Sequence, residues 1–382
     1  MTKNIYLDYA AATPIEPQVL KSMAPYFDQK FYNASAQYSA ARQVAADLMV
    51  ARAKVANWLG ARPSEVIFTA GGTEANNLAL HGIMQAFPDS NLIVSAIEHE
   101  SVLEPAKHYS HQIAPVKVDG QVDIVKLVKL INDQTVLVSI MYANNEIGTI
   151  EPIKQIANEI KGLVKQRQKA GNSRPLYFHV DACQAANYLD LHVKGLGVDM
   201  MTINSGKIYG PKQCGALFIK ASTIIEPQIL GGGQEFNRRS GTENVAAVVG
   251  FAEALNLAQT GRQTEARRLK KLQDIFFEKL SQRLPTTQIN GSLKQRLPNN
   301  VHLTIPGQDN ETLMMRLDDH GIQCAVGSAC SASNDEPSHV LKSIGLSDKA
   351  ARASLRFTMG RHTTESDIIK TVDALVASCQ LD

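Results

Sequence analysis

The stretch EVIFTAGGTEANNLALHGIMQA at 65–86, with NLIVSAIEH at 91–99 just beyond it, reads as strand, glycine turn, helix and second strand. The first and last pieces are short, apolar and β-branched, while the helical pattern covers 74–86 between them. Strands joined in this way pair in parallel, and a parallel sheet is covered on both faces. The same rhythm continues outward. Strand-like runs come at 135–143, 176–182, 198–204 and 215–220, and helical stretches at 101–110 and 151–168. On the N-terminal side Val44, Leu48, Ala51, Val55 and Trp58 share one helical face, which Gly60 terminates. The repetition predicts an α/β domain built on a largely parallel sheet.

Near residue 245 the rhythm changes to one long helical pattern over about 245–284. There Leu269, Leu272, Phe276 and Leu280 make one face and Pro285 ends it. VHLTIP (301–306), a helix at 310–320, a Gly/Ala/Ser-rich stretch at 325–333, SLRFTM (354–359) and a last helix from Thr363 or Thr364 follow. This predicts a second, smaller α+β domain hinged on the long helix.

With 44% hydrophobic and 20% charged residues, the chain is neither disordered nor a coiled coil. Lys plus Arg number 39 against 37 Asp plus Glu, and the longest basic run is RRLKK at 267–271. Charge therefore gives no support to nucleic acid or a membrane surface as partner. The longest apolar runs, such as VLVSIM at 136–141, are too short to span a bilayer, and no signal peptide is expected at the start. Five cysteines without a CxxC pair suit a reducing cytoplasm, where a special cysteine is a reactive thiol and not half of a disulfide. No metal site is expected.

Four segments carry chemistry. In TAGGTEANN (69–77) consecutive glycines before a helix can bring backbone N–H groups to an anion such as a phosphate, although a Gly-Gly turn with a threonine N-cap would explain the same residues. HVDACQAA (179–186) ends an apolar strand on Asp181, at the strand end where α/β proteins bind ligands; a helix N-cap is the alternative. NSGKIYGPK (204–212) places Lys207 just past a strand with no acidic residue between Asp199 and Glu226, as a Schiff-base lysine requires and as a solvated surface lysine also allows. GSACSAS (327–333) holds Cys330 in a small-residue segment that suits an accessible reactive thiol, with a buried structural cysteine as the alternative; Cys183 and Cys324, in apolar contexts, look more like that alternative. Arg356 in SLRFTMGR could clamp a carboxylate bidentately.

In this order, these segments resemble the cysteine desulfurases of the NifS/IscS type, class V, fold-type I enzymes that use pyridoxal 5′-phosphate (PLP). The resemblance runs nearly end to end, through IYLDYAAATP (5–14), EHESVL (98–103), SIMYANNEIGT (139–149), KIYGPK (207–212), GGGQEFNRRSGTEN (231–244), GSACSASNDEPSHVL (327–341) and LRFTMGR (355–361). It implies a large domain over 15–255 with a mostly parallel seven-stranded sheet between helices, and a smaller α+β C-terminal domain formed by 1–14 and 256–382 that carries the cysteine loop. By the same resemblance Lys207 holds PLP and moves protons, Asp181 pairs with the ring nitrogen and His99 stacks on the ring. Gln184 and Asn145 lie near the ring oxygen and the substrate. Gly72, Thr73 and Asn204, with Thr242 from a partner subunit, bind the phosphate. Arg356 and Asn33 bind the substrate carboxylate, and Cys330 takes the sulfur of L-cysteine as a persulfide, leaving L-alanine. A homodimer and a sulfur-accepting partner, such as an iron–sulfur scaffold protein, are implied with it.

Two places depart from the pattern. The family usually carries Ser-x-His before the lysine, both touching the phosphate, where this chain has Asn204 and Gly206. One phosphate contact is lost there unless Ser205 swings in. Residues 36–40 read AQYSA, where a more polar stretch is usual beside the substrate. Selenocysteine lyase, which shares the fold and the PLP residues, and a catalytically weakened paralogue acting as a binding partner are the other readings.

Overall fold

The computed structural model describes residues 4–327 and 336–380. Among them the strands are, in chain order, Ile5–Tyr6 (β1), Val66–Thr69 (β2), Asn91–Ser95 (β3), His111–Ala114 (β4), Thr135–Ser139 (β5) and Tyr177–Asp181 (β6). Then come Met200–Asn204 (β7), Gly215–Ile219 (β8), Gln288–Ile289 (β9), Asn300–Thr304 (β10), Ile322–Gln323 (β11) and Ser354–Thr358 (β12). The main sheet has seven strands in the order β2-β8-β7-β6-β5-β3-β4. β8 runs against its neighbours β2 and β7, and every other pairing in this sheet is parallel.

β2, β3, β5, β6 and β8 are buried at every residue, so both sheet faces need covering. Alternation along each strand sends Ile93, Val138, Phe178 and Met201 to one core, with helices Ser39–Leu59 (α1) and Ile153–Lys169 (α3). Leu92, Leu137, Tyr177 and Met200 go to the other, with Gly72–Ala86 (α2). Gly60, the expected stop of α1, caps it in the left-handed conformation at φ 61°. β4 lies at the sheet edge, half-exposed and polar (HQIA), so it has no apolar run to mark it; the helix expected to reach residue 110 stops at Ala106.

The long helix runs over Val245–Arg283 (α4). Its residues 247–258 belong to the main core, while Leu269, Leu272, Phe276 and Leu280 belong to a second core with β10, β12 and the C-terminal helix Glu365–Cys379 (α5). The boundary expected at 255/256 thus falls inside one continuous helix. β1 pairs in parallel with β11 and Leu7 is buried in the second core, so the start of the chain joins that unit. The start of α5 is capped by Thr364, whose side chain accepts from the Asp367 N–H while Asp367 reaches back to the Thr364 N–H.

One buried ion pair fixes the segment before α4. Arg52 of α1 meets Glu235 in a bidentate contact at 2.6 and 2.7 Å, and Glu235 also accepts from the Phe68 N–H of β2. Glu235, Phe236 and Asn237 all hold positive φ without being glycine. That costs roughly 1–3 kcal/mol each, and the fixed Glu235 carboxylate opposes their relaxation.

Two histidines are sealed inside. His179 on β6 bonds Ser139 Oγ through Nδ1 at 2.8 Å and Thr202 Oγ1 through Nε2 at 3.0 Å, and burial pushes it down to about 4. His302 on β10 is pushed down to about 3, again by burial. Between the unfolded value of 6.5 and about 4, the unfolded chain binds a proton that folded His179 refuses, so its contribution to stability falls as the pH drops through that window. Glu151, pushed up to about 8 by burial, acts in the opposite sense between about pH 8 and 4.5, overlapping that window, so the effect is read as a difference between proteins. His179→Asn should remove about 3 kcal/mol of the acid-induced loss between pH 7 and pH 4, measured by urea unfolding at both. An unchanged pH difference in the variant would remove His179 from the account.

Candidate active site

The parallel strands of the main sheet all deliver their C-terminal ends to one edge. β6 ends on Asp181, β7 ends on Asn204 with a tight turn Ser205–Lys207 behind it, and β2 leads through Gly71 into α2. β3 leads to His99, the N-cap of helix Glu100–Ala106, and β5 leads to Asn145. These ends surround a cavity of about 180 Å³ whose wall includes Gly72, Thr73, His99, Asn145, Asp181, Gln184, Asn204, Lys207 and Arg356.

Asp181 is only 7% exposed, so its charge has to be met by donors. Asn76 Nδ2 donates to Oδ2 at 2.7 Å, and the Cys183 N–H donates to Oδ1 at 2.9 Å. The same Asn76 amide donates to Ser101 Oγ at 2.9 Å, and the Ser101 N–H donates to His99 Nδ1 at 3.1 Å. With Nδ1 accepting, this network assigns the proton of a neutral His99 to Nε2. Asn76 and Ser101 escaped the sequence reading. Asn76 lies one helical turn beyond Gly72, and Ser101 sits at the capping distance from His99, so the spacing was there to be used.

Lys207 Nζ donates to the carbonyls of Ala10 and Ala11 at 2.9 and 2.6 Å, and Gln184 Nε2 also donates to Ala10 O. Thr13 Oγ1 donates to Gly206 O and accepts from the Tyr209 N–H, so the IYLDYAAATP segment forms the floor under the lysine. Arg356, 2% exposed on β12, donates to Asp8 Oδ1 at 2.7 Å and to Asn145 O at 3.2 Å; its Nε is buried without a partner. The guanidinium is therefore held in place, with a donor to spare.

The N-cap of α2 is Gly71, at φ 138°, so the threonine cap offered by a plain turn is not what forms. Thr73 instead stands in the cavity wall. Gly72 has to be bare, because a Cβ there would lie 2.8 Å from Cys183 Sγ. Asn204 Oδ1 accepts from the Gly206 N–H, which leaves its Nδ2 beside Gly72, 3.4 Å from where that Cβ would be. Ser205 does not swing in. Its hydroxyl is buried without a partner and lies against Gly210, where a Cβ would be only 2.2 Å away.

Two sequence-derived site residues, Asn33 and Thr242, are not brought to this cavity. Asn33 is exposed and accepts from the Ser35 N–H. Thr242 is exposed outside the wall. Cys330 lies outside the described residues. On either side of its segment, Ala325 exchanges backbone hydrogen bonds with Arg356, Ser338 Oγ donates to Glu146 Oε2 at 2.6 Å, and His339 Nε2 donates to Glu98 O at 2.9 Å. Burial pushes the thiols of Cys214 and Cys324 up to about 12, and that of Cys183 well above its usual range. These fit the structural reading of Cys183 and Cys324, with the difference that Cys183 also lines the cavity. Glu98, wholly buried, is likewise held far above the usual carboxylate range by burial.

Residues 5–370 match the family described as Aminotransferase class-V. A protein of Dictyoglomus turgidum named cysteine desulfurase IscS is 40% identical over 383 residues, covering 98% of this chain and 94% of its own. A solved structure titled NifS-like protein superposes with a TM-score of 0.90 at 29% identity, covering 99% of this chain and all of that one. Another, titled SspA in complex with cysteine, reaches 0.81 at 31% identity over 94% of this chain and all of that one.

Asn76→Leu keeps the volume and removes both donations. Leaving Asp181 and Ser101 short of a donor should lower unfolding free energy by about 1–3 kcal/mol in urea titration. Asn77→Leu, whose amide reaches only backbone carbonyls, should stay within about 0.5 kcal/mol of wild type. Equal effects from the two would show that the Asn76 network carries no special energy.

Proposed function

Because the chain belongs to the aminotransferase class-V family, we propose that it is a PLP-dependent cysteine desulfurase which converts L-cysteine to L-alanine and keeps the sulfur as a persulfide on Cys330. The observation that carries this reading is the meeting of an amine, a buried carboxylate and an imidazole, Lys207, Asp181 and His99, in one cavity at the C-terminal sheet edge.

The donor set fits the cofactor part by part. Lys207 Nζ would hold it covalently. Gly72, Thr73 and Asn204 offer backbone and side-chain donors to its phosphate at the start of a 15-residue helix. Asp181, fixed by Asn76 and the Cys183 N–H, is a carboxylate for the ring nitrogen. Bound there, the cofactor supplies an electron sink for the pair left at the substrate Cα when its proton is removed.

The chain's own groups do the rest. Arg356, anchored by Asp8 in the cavity wall, orients the substrate carboxylate. Lys207 Nζ is the amine placed to take a proton from Cα and return one. His99, with Nδ1 occupied by Ser101, presents Nε2 as a donor. The Cys330 thiolate forms an S–S bond to the substrate sulfur as the carbon–sulfur bond breaks, and the electron pair left on carbon takes up a proton to give alanine. The anchoring of Ala325, Ser338 and His339 beside the cavity supports this use of the segment between them. A homodimer whose second copy brings Thr242 to the phosphate, transfer of the persulfide to an iron–sulfur scaffold or other acceptor, and a cytoplasmic location complete the proposal.

Mass spectrometry after brief exposure to L-cysteine tests it. One added sulfur atom is expected on the peptide holding Cys330, absent in Lys207→Ala, which should also lose the visible absorbance band that borohydride bleaches in the wild type. Cys330→Ala should keep that band and release no sulfide. Sulfur found on Cys183, Cys214, Cys324 or Cys379 would move the nucleophile, and alanine formed by Lys207→Ala at the wild-type rate would end the PLP reading.

A further inference from the structure

Behind the cavity lies a more open chamber of about 590 Å³, which shares Ala11, Gly72, Thr73, Asn204 and Lys207 with it. The shared wall contains Gly72, Thr73 and Asn204, the residues assigned above to the cofactor phosphate. Two further chamber residues matter, Gly206 and Lys212. Gly206 presents no side chain to this wall, and a Cβ there would sit at ordinary contact distances from its neighbours. A Cβ built there would meet nothing closer than 3.6 Å, and two of its three nearest atoms, Cγ and Cα at 3.6 and 3.8 Å, belong to Lys212. The lysine stem therefore runs along the volume that the glycine leaves, and three more bonds carry its ammonium onward from Cγ.

The chamber's other charges do not compete for that ammonium. Glu74 is engaged by Arg239 at 2.8 and 3.3 Å and by the Ala70 N–H. Lys207 Nζ is directed to the Ala10 and Ala11 carbonyls. Lys212 is exposed, and among the described residues it makes no ion pair.

We propose that Lys212 is the cation of the phosphate seat, its ammonium reaching past Gly206 to the phosphate of the bound cofactor. This rests on the PLP reading above. A lysine is a point charge on a flexible stem, so the contact adds attraction without fixing the ring, which Asp181 and Lys207 already orient. It gives the chain a phosphate clamp that comes from the far end of the KIYGPK loop and not from the residue next to the Schiff-base lysine.

The test compares PLP with pyridoxal, which lacks the phosphate. Release of PLP from the holoenzyme, followed by absorbance during dilution into a trap, should be about tenfold faster in Lys212→Met than in wild type, and Lys212→Arg should restore it to within about threefold. Pyridoxal should bind Lys212→Met and wild type equally. Raising the salt concentration should speed PLP release from wild type more than from Lys212→Met. PLP release at the wild-type rate in Lys212→Met, or an equal loss of pyridoxal affinity, would overturn the assignment of Lys212 while leaving the PLP reading intact. A wild-type protein that binds no PLP through Lys207 would overturn that reading itself, and this proposal with it.

Discussion

A carboxylate left only 7% exposed has to be met by donors, and the Asn76 amide that meets Asp181 at 2.7 Å comes from a residue 105 positions away. Leaving such a charge unmet costs at least about 1–3 kcal/mol, more than any helix or strand preference in the segments concerned. The bond therefore fixes how α2 sits over the end of β6. Because the same amide holds Ser101, and Ser101 holds His99, it also fixes the loop after β3. Three strand ends are bound to one amide, and the cavity is what they leave between them.

Six of the seven main-sheet strands were legible because each is a short, mostly apolar run buried almost throughout, as in TVLVS and GALFI. β4 and the two-residue strands β9 and β11 were not, since they are short or lie at an edge where their side chains are partly exposed. In the site, Lys207, Asp181, His99 and Arg356 were legible from their motifs and from the strand ends that carry them. Asn76 and Ser101 were overlooked because their importance comes from each other and from Asp181, a relation that linear spacing only hints at. The uses of Asp8, Ala10 and Ala11 were hidden more deeply. They act through a carboxylate paired with a residue 348 positions away and through backbone carbonyls, which no side-chain pattern records.

That opening segment does more than close a floor. β1 pairs with β11, Asp8 pairs with Arg356 on β12, and Thr13 bonds to the backbone of the lysine turn, all within nine residues of chain. The elements that hold the amine and the guanidinium are thus referenced to one short strap. A shift of either would have to break a charged hydrogen bond or a pair of carbonyl contacts, so the distance between the two groups is held by strong local bonds and not only by packing between cores.

The 39-residue helix α4 leads to a different property. At about 1.5 Å per residue it is roughly 58 Å long, and its two ends serve as walls of two cores while its middle is mostly bathed in solvent. Helix formation is cooperative, with a costly nucleus and cheap extension, so neither end keeps its shape easily once the other has frayed. Melting of either core is then transmitted along the backbone to the other. The chain should lose its order as a single cooperative unit, with hydrogen exchange in both cores governed by one global opening and not by two separate ones.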